Sequence, residues 1–348
     1  MRHAVVVGGL GVIGRYLIEH LTTSGDWKVT GLSRRRPDFE TPAQFISVDL
    51  LDRADAEQKL ARLADATHIF YCAFQPRPSW AEHNAPNLAM LVNAVEPIAA
   101  ASSALEHVHL VEGNKIYGSH LGPYKTPAKE TDPPHMLPNF YWDQERWLRN
   151  FQDGQPWTWS ASRPHTVCGF AVGNPMNIMM VIAVYAAISK QLGLPLRFPG
   201  TPGAYNAIYQ ATQSNLLAKA MTFCVTEPAA ANRVFNVTNG DFFRWANVWP
   251  KIATSFDMDW APPQTISLTE FMADKAPLWD EMRSRHGLQP YAYKDLAAWP
   301  FGDYVFGTDW DVMSDTTRIR QAGFHEVVDT EEMIVSMLKD FRERRLVP

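Results

Sequence analysis

The feature that most constrains the fold is a glycine loop close to the start of the sequence. An apolar run, 4–7, leads into Gly8, and Gly11 and Gly14 follow before a stretch with helical spacing of apolar residues. Missing side chains at these positions permit a tight turn, close approach of the backbone to a pyrophosphate and close packing of the helix. Strand, loop and helix in this order predict a dinucleotide-binding βαβ unit. The residues expected to contact the cofactor here are Gly8, Gly11, Val12, Ile13 and Gly14.

The rest of the first half of the sequence alternates between strand patterns and helical patterns. Apolar runs typical of buried strands occur at 28–32, 45–48, 68–71 and 108–111, and helical patterns occur at 56–63 and 87–100. This alternation is typical of a doubly wound parallel sheet of the Rossmann type, so the fold class is α/β.

Beyond residue 165 the alternation stops, and the sequence becomes rich in proline, methionine and aromatic residues. We therefore predict a nucleotide-binding domain at 1–165 and a smaller, mostly helical substrate-binding lobe at 166–348. A short strand pattern near 233–242 is expected to return to the first domain, so that the two parts interleave.

The end of the second strand predicts which nicotinamide cofactor is bound. The sequence there is Ser33-Arg34-Arg35, followed by a third arginine, with no carboxylate to bond a ribose 2′-hydroxyl. Because a guanidinium fork matches a phosphate, the pattern favours NADPH and NADP⁺, and the alternative is a solvated basic turn. Asp49 and Leu50, at the end of the third strand, are expected to border the adenine.

Composition excludes several classes of protein. A formal net charge of −5 gives no basic surface for nucleic acid. The three cysteines are far apart, and the eleven histidines show no metal-ligand spacing, so neither disulfides nor a metal site is expected. No apolar run suits a signal peptide or a membrane helix, which favours a cytoplasmic protein without a membrane partner. The sequence leaves the oligomeric state open, and a homodimer is one state that it allows.

The layout resembles that of the extended short-chain dehydrogenase/reductases, but their usual catalytic signature is missing. Those enzymes carry Tyr-x-x-x-Lys on one helix and a serine before it, whereas none of the eleven tyrosines here is followed by lysine four residues later. Alignment on the segment Ile-Tyr-Gly places Glu112 and Gly113 where the two serines of that segment stand, and Lys115 shortly after them. In the next segment Tyr141 begins a helical run, and Glu145 stands at the position of the usual lysine.

This combination resembles the progesterone 5β-reductase/iridoid synthase family. Members of that family carry a Gly-x-Lys-x-Tyr segment, matched by 113–117, and an Asn-Phe-Tyr-Tyr-x-x-Glu segment, matched by 139–145 with Trp142 in place of the second tyrosine. The resemblance implies catalytic roles for Lys115 and Tyr141 in NADPH-dependent reduction of the carbon–carbon double bond of an enone or enal, with 3-oxo-4-ene steroids among the substrates.

In such a reduction the hydride adds to the β-carbon, and negative charge collects on the carbonyl oxygen as an enolate. A phenol aimed at that oxygen lowers the barrier, which makes Tyr141 the expected proton donor. A nearby ammonium is expected to favour a phenolate-like form of the tyrosine and to hold the cofactor ribose, and Lys115 is the candidate.

The expected substrate is a small apolar carbonyl compound. Tyr117, Tyr124, Met176 and Phe301 are the predicted walls of its pocket, because rings and thioethers suit an apolar ligand. The segment 117–124 is longer than its counterpart in the family, which leaves the pocket shape open.

Two other functions remain as alternatives. One is an ordinary carbonyl reductase or epimerase of the extended short-chain type, which shares the fold and the glycine loop. The other is a regulator that senses NADPH without catalysis and does not need a donor tyrosine.

Overall fold

The computed structural model describes residues 1–348. The strands are β1 (Arg2–Val7), β2 (Trp27–Ser33), β3 (Gln44–Ser47), β4 (His68–Tyr71), β5 (His107–Val111), β6 (Thr158–Pro164), β7 (Val167–Cys168), β8 (Leu196–Arg197), β9 (Thr212–Gln213), β10 (Arg233–Val237) and β11 (Trp260–Ala261). The first seven helices are α1 (Gly14–Ser24), α2 (Arg53–Leu60), α3 (Trp80–Ala101), α4 (Phe140–Gln152), α5 (Ile178–Gln191), α6 (Pro202–Asn206) and α7 (Ser214–Thr226). The other seven are α8 (Trp245–Ser255), α9 (Leu268–Phe271), α10 (Ala276–His286), α11 (Tyr293–Leu296), α12 (Trp299–Phe306), α13 (Thr317–Ala322) and α14 (Thr330–Glu343). Short 3-10 turns occur at Asn114–Tyr117 and Pro228–Ala230.

A parallel sheet of seven strands forms the centre of the molecule, in the order β10-β6-β5-β4-β1-β2-β3. The direction in which the chain builds the sheet reverses between β1 and β4. In doubly wound sheets, ligands bind in the crevice outside the carboxyl ends of the strands at this switch point. The predicted Rossmann-type α/β fold is therefore confirmed, and its topology fixes where a ligand binds.

The first βαβ unit shows how local sequence produces this sheet. Leu17, Ile18 and Leu21 share one face of α1 and are fully buried. The helix ends at Gly25, whose φ of +76° is a left-handed conformation that glycine adopts without strain. The turn returns the chain to β2, which pairs in parallel with β1.

Three large hydrophobic clusters stabilise the molecule. Two of them combine sheet residues with helices, one centred on α2 and α3 and the other on α1 and α7. The third, with 42 buried residues, lies entirely within residues 168–347. At its centre is α5, in which every residue from Ile178 to Ser189 is buried. A helix that is apolar on all sides is typical of a core position.

The second half of the chain also contributes to the main sheet. β10 pairs in parallel with β6 and forms an edge of the sheet, as the strand pattern near 233–242 suggested. The remaining strands of this half are two-residue pairs, and helices make up most of its regular structure. None of the helices combines the length and apolar character needed to cross a membrane.

Candidate active site

A cavity of about 800 Å³ opens at the switch point of the sheet. The glycine loop lines one part of it, the ends of β2 and β3 line another, and the 3-10 turn after β5 and the start of α4 line a third. The part of the wall contributed by the C-terminal half comes from 172–176 and from α12. Its position matches the crevice in which the fold binds nucleotides.

The glycine loop lies against the backbone of the neighbouring strand. Gly8 has a φ of +82°, and a Cβ atom there would lie 2.9 Å from the backbone of Ala73. Four of the five cofactor contacts predicted in this loop line the cavity, namely Gly8, Gly11, Val12 and Ile13. The fifth, Gly14, does not line it. A Cβ atom at Gly14 would instead overlap the carbonyl oxygen of Gly8, so Gly14 permits α1 to pack against the loop. A cradle that excludes side chains in this way fits a pyrophosphate.

Two arginines at the edge of the cavity are free to bind a phosphate. Ser33, Arg34 and Arg35 line the cavity where β2 ends, together with Asp49 and Leu50. The Arg34 and Arg35 side chains are exposed, and neither makes an ion pair. The nearest downstream carboxylate, Asp38, pairs with Arg15. The end of β2 therefore presents two guanidinium groups and no carboxylate, and the carboxylate among these lining residues, Asp49, follows β3.

Asn139 joins the two segments that carry the predicted catalytic residues. It is the N-cap of α4, and its Oδ1 accepts a hydrogen bond of 3.1 Å from the backbone N–H of Tyr141. Its Nδ2 donates to the backbone carbonyl of Lys115 over 3.1 Å. One buried side chain thus fixes the 3-10 turn to the first turn of α4, and both Lys115 and Tyr141 line the cavity.

Lys115 is a partly buried lysine without a carboxylate partner. Its Nζ lies 4.9 Å from the ring centroid of Tyr304 and 5.9 Å from that of Trp80. Burial lowers the pKa of Lys115 to about 8, and no acidic group counteracts it. The aromatic faces are the nearest groups that favour the charged form.

Tyr141 lies over the backbone of Gly113. A Cβ atom at Gly113 would be 3.3 Å from the Tyr141 hydroxyl, and the Tyr141 ring packs against Phe140 with centroids 4.1 Å apart. Burial, with a contribution from the charge of Glu112, raises the pKa of Tyr141. The expected shift toward a phenolate-like form is not found, because desolvation dominates the pKa of Tyr141. Tyr141 is a neutral phenol that can donate a proton.

Two predicted pocket residues line the cavity and two lie elsewhere. Met176 and Phe301 form part of its wall. Tyr117 is buried behind the wall, where its hydroxyl donates to Asn236 Oδ1 over 2.7 Å and accepts from Arg163. Tyr124 packs against the small cluster formed around Tyr117. Tyr117 is the last residue of the 3-10 turn and its hydroxyl reaches Asn236 on β10, whereas Tyr124 lies beyond the turn.

Several residues that line the cavity were not among the predicted site residues. They include Phe74, Asn114, Gln144, His165, Thr166, Asn174 and Tyr304. Phe74 follows β4, and its place at the cavity could have been predicted from the sequence. The carboxyl ends of neighbouring parallel strands share one edge of the sheet, so the segments that follow them lie close together. Tyr304 belongs to α12, which is distant in sequence and carries no motif that predicts its position.

A second cavity, of about 830 Å³, lies on another face of the molecule, between α1 and α14. It contains none of the predicted site residues and has a mostly polar lining. No group of three or more histidine, cysteine or carboxylate side chains is arranged to hold a metal ion. The chemistry predicted from the sequence therefore belongs to the first cavity.

Solved structures with a similar fold define the class of protein. A UDP-glucose 4-epimerase from Thermus thermophilus, solved with NAD, superposes with a TM-score of 0.68 at 20% identity over 98% of this chain and 99% of that one. A UDP-glucose 4-epimerase from Thermotoga maritima superposes with a TM-score of 0.71 at 16% identity over 98% and 99% of the two chains. The chain therefore shares the fold of these two epimerases.

Sequence relatives define the family within that class. Residues 46–348 match the model of the PRISE-like Rossmann-fold domain. An (S)-8-oxocitronellyl enol synthase from Nepeta racemosa is 34% identical over 99% of this chain and 93% of its own length. A 3-oxo-Delta(4,5)-steroid 5-beta-reductase from Arabidopsis thaliana is 31% identical over 99% and 93%. The chain belongs to the progesterone 5β-reductase/iridoid synthase-like family, an oxidoreductase family, as its two segments predicted.

Proposed function

We propose that this protein uses NADPH to reduce the carbon–carbon double bond of small apolar enones or enals, including 3-oxo-4-ene steroids. The observation that carries the proposal is the cavity itself. A neutral phenol, Tyr141, and an ammonium without a carboxylate partner, Lys115, line the same cavity as the glycine loop. The family relatives named enol synthase and steroid 5-beta-reductase support this reaction class.

NADPH is proposed over NADH because of the charge at the end of β2. Arg34 and Arg35 lie at the cavity edge without ion-pair partners, and the first carboxylate after Ser33, that of Asp38, pairs with Arg15. A 2′-phosphate would accept charge-assisted hydrogen bonds from either guanidinium. The NAD found with an epimerase of the same fold does not bear on this preference, since that protein shares only 20% of its sequence.

Each catalytic side chain has a distinct role in the proposed mechanism. The bound nicotinamide supplies a hydride to the β-carbon of the substrate. Tyr141 donates its phenolic proton to the carbonyl oxygen, where negative charge develops, and the enol that forms tautomerises to the saturated carbonyl compound. Lys115 stabilises that negative charge through its ammonium and assists in holding the cofactor ribose. Met176 and Phe301 exclude water from the apolar part of the substrate.

The proposal is tested by following NADPH oxidation with cyclohexenone and, in parallel, with cyclohexanone, and by identifying the products by mass spectrometry. Consumption of the enone alone, with cyclohexanone as the product, supports double-bond reduction. NADPH deuterated at the transferred position should place deuterium on the β-carbon. Progesterone in place of cyclohexenone then shows whether the cavity admits a steroid.

Two other outcomes would favour the alternatives. Oxidation of NADPH with the saturated ketone would indicate carbonyl reduction, the chemistry of an ordinary extended reductase. Tight NADPH binding without turnover of either compound, and with no effect of Tyr141→Phe on a cellular response, would support a regulator that senses NADPH. Unlike either reductase, such a regulator does not require Tyr141 as a proton donor.

We also propose that the enzyme works in the cytoplasm. Its three cysteines, Cys72, Cys168 and Cys224, are all free thiols. Burial raises the pKa of each thiol, so all three are unreactive at neutral pH. Free thiols, of which Cys168 and Cys224 are buried and Cys72 is partly buried, are consistent with a reducing compartment. Localisation of a fluorescent fusion protein tests this proposal.

A further inference from the structure

At the wall of the cavity, which Glu112 helps to line, the guanidinium of Arg163 lies between two buried carboxylates. Its Nε donates to Glu112 Oε2 over 2.7 Å, and its Nη2 donates to Glu145 Oε2 over 2.6 Å. The side chains of Arg163, Glu112 and Glu145 are 4%, 0% and 3% exposed. The remaining Nη1 donates to the Tyr117 hydroxyl over 2.9 Å. We call Arg163, Glu112 and Glu145 together the Arg163 network.

The network joins the three elements that surround Tyr141. Glu112 follows β5 and precedes Gly113, against which the Tyr141 hydroxyl lies. Arg163 belongs to β6, and the peptide N–H of Glu112 donates to the carbonyl of Ser162 on the same strand. Glu145 lies on α4 four residues after Tyr141, so the two side chains share one face of the helix. A displacement of any of the three network residues would therefore move the Tyr141 hydroxyl relative to Gly113.

Glu112 stands at the first of the two serine positions in the segment of ordinary extended reductases, and Glu145 stands at the position of their lysine. In sequence the two replacements look independent. In the structure they are linked, because one guanidinium bonds both side chains. The two replacements remove polar side chains of the usual site. They add a buried ionic connection between β6 and α4.

The two carboxylates differ in their surroundings. Glu145 has a second cation, since Arg149 Nη1 donates to its Oε1 over 3.2 Å on the solvent side of the helix. The Oε1 atom of Glu112 is buried without a hydrogen-bond partner. Burial raises the pKa of Glu112 although the charge of Arg163 opposes it. A buried network of charges adds little to the free energy of unfolding, because the cost of desolvating the charges offsets their attraction. The planar guanidinium fork nevertheless fixes the directions in which the two carboxylates lie.

We propose that the Arg163 network positions Tyr141 for catalysis: Glu145 holds the first turns of α4 against β6, and Glu112 holds the backbone on which the phenol lies. None of the three residues is assigned contact with the reacting atoms, so all are positioning residues. This inference rests on the proposed function of Tyr141 as proton donor. Because small displacements of a reacting group cost up to about 100-fold in rate, loss of the network should appear mainly in kcat.

The test uses Glu145→Gln, which removes one charge with little change of shape, and Arg163→Lys, which keeps the charge but removes the fork. We expect each variant to lower kcat for cyclohexenone by about 10- to 100-fold. The Kd for NADPH and the KM for the enone should stay within about threefold, because the network lies away from the glycine loop. The solvent deuterium isotope effect on kcat should rise, since proton donation by Tyr141 becomes slower.

Arg149→Gln is the matched control, because it removes the exposed partner of the same carboxylate. We expect its kcat to stay within about twofold of the wild type, as surface ion pairs contribute little. Circular dichroism and NADPH binding establish that each variant is folded, and Arg163→Lys serves if Glu145→Gln does not fold. Undiminished kcat in a folded variant, or equal losses in kcat and NADPH affinity, would overturn the positioning role alone. Absence of enone turnover by the wild type would overturn the proposed function itself.

Discussion

The ammonium nitrogen of Lys115 lies 4.9 Å from the ring centroid of Tyr304, and this aromatic face takes the place that a carboxylate usually occupies beside a buried lysine. Burial alone would reduce the charged fraction of Lys115, whose pKa is lowered to about 8. The cation–π contact opposes this effect without adding a negative charge that would repel a developing enolate.

Enone reduction should therefore decline as pH rises through about 8. Lysine is charged below its pKa, so the stabilising ammonium is present at neutral pH and is lost on the alkaline side. The histidines that face it, His83, His120 and His165, have pKa values lowered by burial and by Lys115 itself, and they stay neutral across this range. Lys115→Arg should remove the alkaline decline from the profile of kcat/KM against pH.

Variants of Tyr304 separate the role of its ring from that of its hydroxyl. Tyr304→Phe keeps the aromatic face and should leave the alkaline limb where it is. Tyr304→Leu removes the face and should move that limb to lower pH, because desolvation of Lys115 is then less opposed. Identical pH profiles for the two variants would show that the ring does not control the charge of Lys115.

Tyr141→Phe removes the proposed proton donor but keeps the ring that packs against Phe140. We expect kcat for enone reduction to fall by about 10²- to 10⁴-fold, the usual contribution of a positioned acid. The Kd for NADPH should stay unchanged, since the hydroxyl is not assigned to the cofactor. Fluorescence titration with NADPH and steady-state kinetics measure the two quantities.

Tyr185→Phe is the control for this substitution. The Tyr185 hydroxyl donates to the carbonyl of Arg197 in the C-terminal core, and Tyr185 does not line the cavity. Its removal should affect stability only. If Tyr141→Phe and Tyr185→Phe were equally active, Tyr141 could not be the donor.

Local patterns predicted the elements of the sheet because each strand and helix carries its own signal. Where the prediction was wrong, a local signal had been missed. The helix predicted at 87–100 begins at Trp80, and the sequence contains the reason: Ser79 Oγ accepts from the backbone N–H of Glu82 and donates to its carboxylate. This N-cap begins the helix at Trp80, before the predicted start at 87.

Residues brought together by the tertiary fold could not be predicted in the same way. The sequence showed Glu112, Glu145 and Arg163 as separate features, and only the meeting of β5, β6 and α4 joins them. Tyr304 reaches Lys115 from α12, nearly 190 positions further along the chain. Tyr117 was predicted to line the pocket but does not line it. Its motif fixes a strand end but does not determine which way the hydroxyl points.

Removing the arginines at the end of β2 should reduce the preference for NADPH. A charge-assisted hydrogen bond contributes about 1.5–3 kcal/mol, so Arg34→Ala combined with Arg35→Ala should raise the Kd for NADPH by at least about tenfold. The Kd for NADH should change little, because it has no 2′-phosphate. Arg36→Ala is the control, since Arg36 is exposed and does not line the cavity. Equal losses for both nucleotides would place the phosphate elsewhere.

Asn139→Ala should reduce both stability and catalysis, because one side chain caps α4 and holds the turn that carries Lys115. Loss of an N-cap costs about 1 kcal/mol of the free energy of unfolding, which denaturant titration can measure. Asp329→Ala removes the N-cap of α14, which lies away from the first cavity, and should cost a similar free energy without changing kcat. A fall in kcat with Asn139→Ala but not with Asp329→Ala would show that the coupling of Lys115 to Tyr141 matters for catalysis as well as for folding. Equal kcat values would confine Asn139 to stability.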